Sequence, residues 1–287
     1  MANIMVLFLS RTNRGPETEG GLAFPAPSEV CIRRSLHVSR HQGQDFQERH
    51  ASRPSNEGVS AVDCLQPVVI SASDMHDVIA SIRDFAKNHF THAKYSHDWE
   101  HTERVYRLCM HIGRIEGADL DVLAIAAYLH DIGRAIQDTS KGTLCHAEHG
   151  ARIAADILKE YSIPAEKREN IIHCIVSHRY RNSHHPETLE ARVLFDADKL
   201  DAIGAVGIAR AYLFAGEVGA VLHNPDMDPH TAKPYSRDDT GYREYMVKLS
   251  KIKDRMLTSE GRHMALERHA FMEEFFSRFL KEIEGQL

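Results

Sequence analysis

Paired cysteines are missing from this sequence. The five present, Cys31, Cys64, Cys109, Cys145 and Cys174, are an odd number, widely spaced and without a Cys-x-x-Cys pair. That excludes a complete disulfide framework and a thiolate zinc site, and it fits a reducing, cytoplasmic setting. No apolar run approaches the roughly 20 residues of a membrane helix. The opening "IMVLFL" is short and has no basic residue before it, so it makes a poor signal peptide. A basic excess is also lacking: the net charge of −6 offers no footprint for sequence-independent nucleic-acid binding. Strand-like alternation is nearly absent, and no internal repeat is visible.

Lysine is absent from residues 1–73, which hold five of the chain's ten prolines. Segments such as "RTNRGPETEGG" and "AFPAPSE" carry turn residues without a helical or strand period, and basic and acidic residues there cancel. We expect residues 1–73 to be a disordered or non-native N-terminal extension, with Met75 as an alternative start, and residues 74–287 to form one helical domain.

From Asp74 onward apolar residues recur at helical spacing. Asp74 is placed to cap a helix whose Val78, Ile79, Ile82, Phe85 and Ala86 share a face. A second helix, with Val105, Leu108, Cys109, Ile112 and Ile115 on one side, stops at Gly117. Asp119 then caps "LDVLAIAAYLHD", apolar nearly all round and therefore central. Further helices are expected over 146–161, 164–179, 189–219 (a single long helix), 241–256 and 260–285. The polar stretch 223–240 reads as a long loop, long enough to act as a lid.

What the sequence has in abundance is histidine, twenty in all, fourteen of them between His76 and His223. The helices around Gly117 should form an antiparallel hairpin. His101 lies sixteen residues before that glycine and His130 thirteen after it, roughly 24 and 20 Å from the turn at 1.5 Å per residue. The two imidazoles can therefore meet, with Asp131 beside them, as ligands for a borderline divalent cation. Another carboxylate is expected from "VLFDADKLDA", where Asp196, Asp198 and Asp201 interrupt a core-like run and need a partner or a metal.

Together "HTERV" (101–105), "LHDIG" (129–133) and "DADKLDAIGAVGI" (196–208) resemble the signature of the HD-domain metal-dependent phosphohydrolase superfamily. "HAEHGARIAADIL", "IVSHR" and the C-terminal helix extend the likeness to the small stand-alone bacterial and archaeal members, over about residues 75–287. The resemblance implies an all-α HD-domain bundle with a metal site between helices. Carried over by position, it makes His101, His130, Asp131 and Asp198 the metal ligands, Asp198 being the aspartate directly before the Lys-Leu pair. It places His146 and His178 where dinuclear members use further histidines, with His149 peripheral, and Lys199 where the family contacts phosphate. One departure is Arg134, which stands where some nucleotidases of the superfamily carry a glutamate three residues after the doublet.

The implied activity is metal-dependent hydrolysis of a phosphate ester, a nucleotide or phosphodiester, by hydroxide formed on the cation. Asp131, Lys199, His146 and His178 are the catalytic candidates, the last two as proton donors where no second metal sits. Arg104, Arg134 and Arg179 are weaker candidates for the phosphate, each also readable as plain surface charge. The cofactor expected is one divalent ion or two (Mn, Mg, Ni, Co, Zn or Fe). The partner is a small phosphorylated substrate, with no membrane and no sequence-specific nucleic acid, and a homo-oligomer is left open. Rival readings are a dinuclear-iron oxygenase of HD type, a non-hydrolysing nucleotide sensor and a purely structural helical protein.

Overall fold

The computed structural model describes residues 72–90, 99–134, 145–179 and 184–287, all within the unit Asp63–Leu287. The expected extension up to residue 71 and Arg179's neighbours at 180–183 lie outside the described residues. Among the described residues the fold is all-α, with no strand and with no helix long and apolar enough to cross a membrane.

The elements are α1 (Ala72–His89), α2 (Trp99–Glu116), α3 (Leu120–Leu129), α4 (His146–Leu158), α5 (Ala165–Ser177), α6 (Leu189–Leu200), α7 (Gly204–Glu217) and α8 (Gly241–Val247). A 3₁₀ segment, Leu249–Arg255, leads into α9 (Ser259–Ile283). Asp119 caps α3 by accepting from the backbone N–H groups of Asp121 (3.0 Å) and Val122 (3.2 Å). Every α3 side chain from Val122 to Leu129 is buried. This helix packs against α1, α2, α5 and α6, which is why its sequence shows no polar face. Each fully buried Leu or Ile there contributes about 1.5–3 kcal/mol.

Some expectations require correction. Helix α1 begins at Ala72, so Asp74 sits in its first turn instead of capping it. Phe85 and Ile115 share the spacing of the buried face but are 40% and 57% exposed. The single long helix expected over 189–219 is two. It breaks at Asp201–Ile203, and Gly204 resumes the chain with φ +76°, a left-handed conformation open to glycine at little cost. The polar loop is not a free lid. Arg243 Nη1 grips Asp239 (2.7 Å) and its Nε donates to the Ala232 carbonyl (3.1 Å), while Asn224 donates to Asp238 (2.7 Å). The His223 ring packs edge-on against Tyr242 and Phe279, so the loop is tied to α8 and α9.

Asp196 is fully buried and accepts from the N–H of Leu257 (2.9 Å) and from the N–H (2.8 Å) and hydroxyl (2.7 Å) of Thr258. Thr258 is the N-cap of α9. This aspartate therefore fastens the start of the last helix to the middle of α6, and it belongs to neither of the metal-ligand clusters described below.

Candidate metal centre

Five helix ends converge at one end of the bundle. His101 comes from the first turn of α2, His130 and Asp131 follow the last residue of α3, His146 opens α4, His178 follows α5, and Asp198 lies in the last turn of α6. His101, His130, Asp131, His146 and His178 are at most 3% exposed. Asp198 and its neighbour Lys199 keep 20% and 19% of their side chains open, so they form the rim.

Two sets of ligand atoms gather here: His101, His130 and Asp198, and separately Asp131, His146 and His178. In the first, His101 Nε2 lies 3.3 Å from His130 Nε2 and 3.5 Å from Asp198 Oδ1. Asp131 joins them: its Oδ2 is 3.8 Å from both imidazole Nε2 atoms. Its other oxygen, Oδ1, faces the second set, 3.0 Å from His146 Nε2 and 3.6 Å from His178 Nε2. One carboxylate thus spans both groups.

The tautomers follow from what the far ring nitrogens touch. His101 Nδ1 donates to Asp201 Oδ2 (2.8 Å), and His130 Nδ1 donates to the Ala127 carbonyl (2.8 Å). Both Nε2 atoms therefore carry lone pairs. They point at each other and at two carboxylate oxygens, an inward-facing shell of acceptors that a divalent cation would neutralise. This donor set of two imidazoles and two carboxylates suits Mn, Fe, Co, Ni, Zn or Mg. The second set differs. His178 Nδ1 donates to the Ile175 carbonyl (2.6 Å), leaving a lone pair on Nε2. His146 Nδ1 instead faces Arg134 Nη1 at 3.4 Å, a group that only donates. His146 Nε2 then carries the hydrogen and gives it to Asp131 Oδ1 and to His178 Nε2, 3.1 Å away.

Electrostatics agree with this division. Burial lowers the affinity of His101 and His178 for a second proton despite their carboxylate neighbours, and it brings His146 down to about 4. Burial alone would raise Asp198, but Lys199 first, then His101, His178 and His130, hold it well below the usual carboxylate range. The Lys199 ammonium sits 2.6 Å from Asp198 Oδ2 and 4.9 Å from the centre of the Phe195 ring. Arg104 is turned away from the cluster toward Asp201, with Nε 2.6 Å from Oδ1. His149 is half-buried and belongs to neither group.

Sequence reading offered Asp201 as a ligand candidate; the structure gives it a different place, behind His101 and between Arg104 and Arg210 (2.8 Å). Its signal was its cost, a carboxylate in a buried run. What it lacked was any pointer to which nitrogen of which histidine it would meet. The approach of α4 to the end of α3 is set by glycine. A Cβ on Gly133 would stand 2.5 Å from the His146 carbonyl and 2.6 Å from the Gly150 nitrogen. Only a bare backbone at 133 allows His146 to reach Asp131.

A family model described as the HD domain matches residues 98–203. Over 209 residues the chain is 34% identical to the protein YpgQ of Bacillus subtilis, covering 71% of this chain and 93% of that one. A shorter likeness, 31% identity over 101 residues, links it to ribonuclease Y of Chloroflexus aurantiacus, 18% of which is covered. Among solved structures, YpgQ in complex with ADP superposes with a TM-score of 0.57 at 33% identity, over 73% of this chain and 96% of that one. An HD-superfamily hydrolase of Bacillus thuringiensis superposes with a TM-score of 0.59 at 28% identity, over 73% and 98%.

Proposed function

The chain belongs to the HD-domain family, and from that premise we propose that it is a metal-dependent phosphohydrolase acting on a small phosphate ester, a nucleotide in the first instance. The observation that carries this reading is the shell of acceptors around His101 Nε2 and His130 Nε2, closed by Asp131 and Asp198. Four acceptors aimed inward without a hydrogen to share favour a bound cation. A divalent ion held there would polarise a phosphoryl oxygen and ease deprotonation of water.

The remaining work falls to side chains. Asp131, facing both groups, can orient the attacking water through Oδ1 or Oδ2. Lys199, at the rim and already beside Asp198, can follow the negative charge that builds on the equatorial phosphoryl oxygens. His146 carries its hydrogen on Nε2, the atom that faces the centre, which suits a proton donor to the leaving oxygen. A second cation between Asp131 Oδ1, His146 and His178 would need the other tautomer of His146 and a displaced Arg134. The nucleotide preference is supported by the ADP bound to YpgQ. A cytoplasmic setting accords with cysteines that remain free, Cys109, Cys145 and Cys174 among the described residues.

The test is phosphate and pyrophosphate release over a panel of nucleotides and phosphodiesters with Mn²⁺, Ni²⁺, Co²⁺ and Mg²⁺, on the wild-type chain and on Asp131→Ala. Turnover that stops with a chelator, returns with metal and is lost in Asp131→Ala supports the reading. Turnover that survives complete metal removal overturns it. Two irons per chain with oxygen uptake would instead favour a dinuclear-iron oxygenase built on the same six side chains.

A further inference from the structure

Beside Asp201 lies a half-open cleft of about 290 Å³ lined from α2, α7 and α9. It shares none of the six metal-group side chains. Its apolar floor is Leu108, Val206 and Met264, and Val206 is 37% exposed. Its cations are Arg104, Arg107 and Arg268, with the His111 imidazole alongside.

These cations are unevenly matched. Asp201 is the carboxylate of the lining, and it is already held by His101, Arg104 and Arg210. His111 is taken by Glu260 at 2.9 Å. Arg107, 73% exposed, meets Glu103 only at 3.8 Å across one helical turn, and that carboxylate is already held by Arg83 at 2.9 Å. Arg268 donates through Nη1 to the Leu200 carbonyl and forms no ion pair with a carboxylate among the described residues, although burial costs its charge enough to lower its proton affinity. The charge of Asp201 offsets part of that cost, yet this carboxylate is already shared among His101, Arg104 and Arg210, so Arg268 keeps capacity for a further anion, and guanidinium groups suit phosphate better than any other side chain. The cleft's volume lies at the small end of ligand pockets, about 300–1,000 Å³.

We propose that this cleft is a second, non-catalytic binding site for a small phosphorylated molecule with a flat apolar part, a nucleoside monophosphate being the matching class. The phosphate lies between Arg107 and Arg268, and the base lies on Leu108, Val206 and Met264. The proposal goes beyond the hydrolytic reading and does not rest on it.

The experiment is calorimetric titration of AMP into the full chain carrying Asp131→Asn, which disables the metal centre, and into the same chain with Arg107→Glu added. Arg107 is mostly exposed, so the added change leaves the fold intact. Val206→Asp, at the exposed edge of the floor, is the second variant. The expected result is one site for AMP in the parent, weakened at least about tenfold by either added change, with adenosine binding correspondingly weaker than AMP. Equal AMP affinity in parent and variants, or no AMP binding to the parent, overturns the proposal.

Discussion

Asp201 fixes the proton of His101: its Oδ2 lies 2.8 Å from Nδ1, while the same carboxylate takes Arg104 at 2.6 Å and Arg210 at 2.8 Å. The imidazole is thereby held with its lone pair on Nε2, the form a metal requires. Removing the carboxylate with Asp201→Ala should lower affinity for Mn²⁺ about 10–100-fold, read by titration of metal-free protein. Asp201→Asn keeps an acceptor oxygen and should lose less. Identical affinity in all three proteins would show that the His101 tautomer is set elsewhere.

Asp196 should matter for stability and not for metal. It is buried and holds the N-cap of α9 in place through three hydrogen bonds from Leu257 and Thr258. Asp196→Ala should cost about 2–4 kcal/mol, measured as a shift of the urea midpoint, with metal stoichiometry unchanged. Loss of metal without loss of stability would make it a ligand after all.

Acid should unfold the metal-free protein early. The unfolded chain takes up a proton on each histidine near pH 6.5, whereas burial delays this to about 4 at His146 and lowers it at His101 and His178 too. Across that interval the unfolded state holds more protons, so stability falls as pH falls, by about 1.4 kcal/mol per pH unit for each imidazole involved. Denaturant midpoints of chelator-treated protein from pH 7 to pH 4 measure this slope. A flat profile would mean that the imidazoles titrate as freely in the folded chain as in the unfolded one.

Gly133→Ala should separate the two groups of ligands. The added methyl meets backbone atoms of His146 and Gly150, so α4 must retreat and carry His146 from Asp131. The first group, drawn from α2, α3 and α6, keeps its own packing. Metal bound with nearly wild-type affinity, together with at least about a tenfold drop in kcat for whatever substrate the screen yields, is the expected outcome. Unchanged kcat would remove His146 from the reaction.

Much of this arrangement was legible before any coordinates. Spacing along a helix fixes height, and heights on either side of Gly117 placed His101 level with His130. Composition marked α3 as central. Resemblance to a known family supplied Asp198, His146 and His178, which spacing alone could not choose. What stayed hidden was lateral. No periodicity states that Asp131 faces two groups with different oxygens, that Asp201 stands behind His101, or that Asp196 reaches across to Thr258. Phe85 and Ile115 show the same limit, since a stripe of apolar residues does not reveal which of its members a neighbour covers. The break at Gly204 was passed over because Ala202, Ile203, Ala205 and Val206 keep the segment apolar on both sides, although the glycine itself was the available signal.

That break has its own reach. The aliphatic stem of Arg268 lies directly across Gly204, so a methyl group at 204 would stand 3.0 Å from Cγ and 3.1 Å from Cβ. The kink between two helices is thus the saddle on which a distant arginine rides, and any bulkier residue there would unseat its guanidinium from the cleft as surely as it would strain the turn.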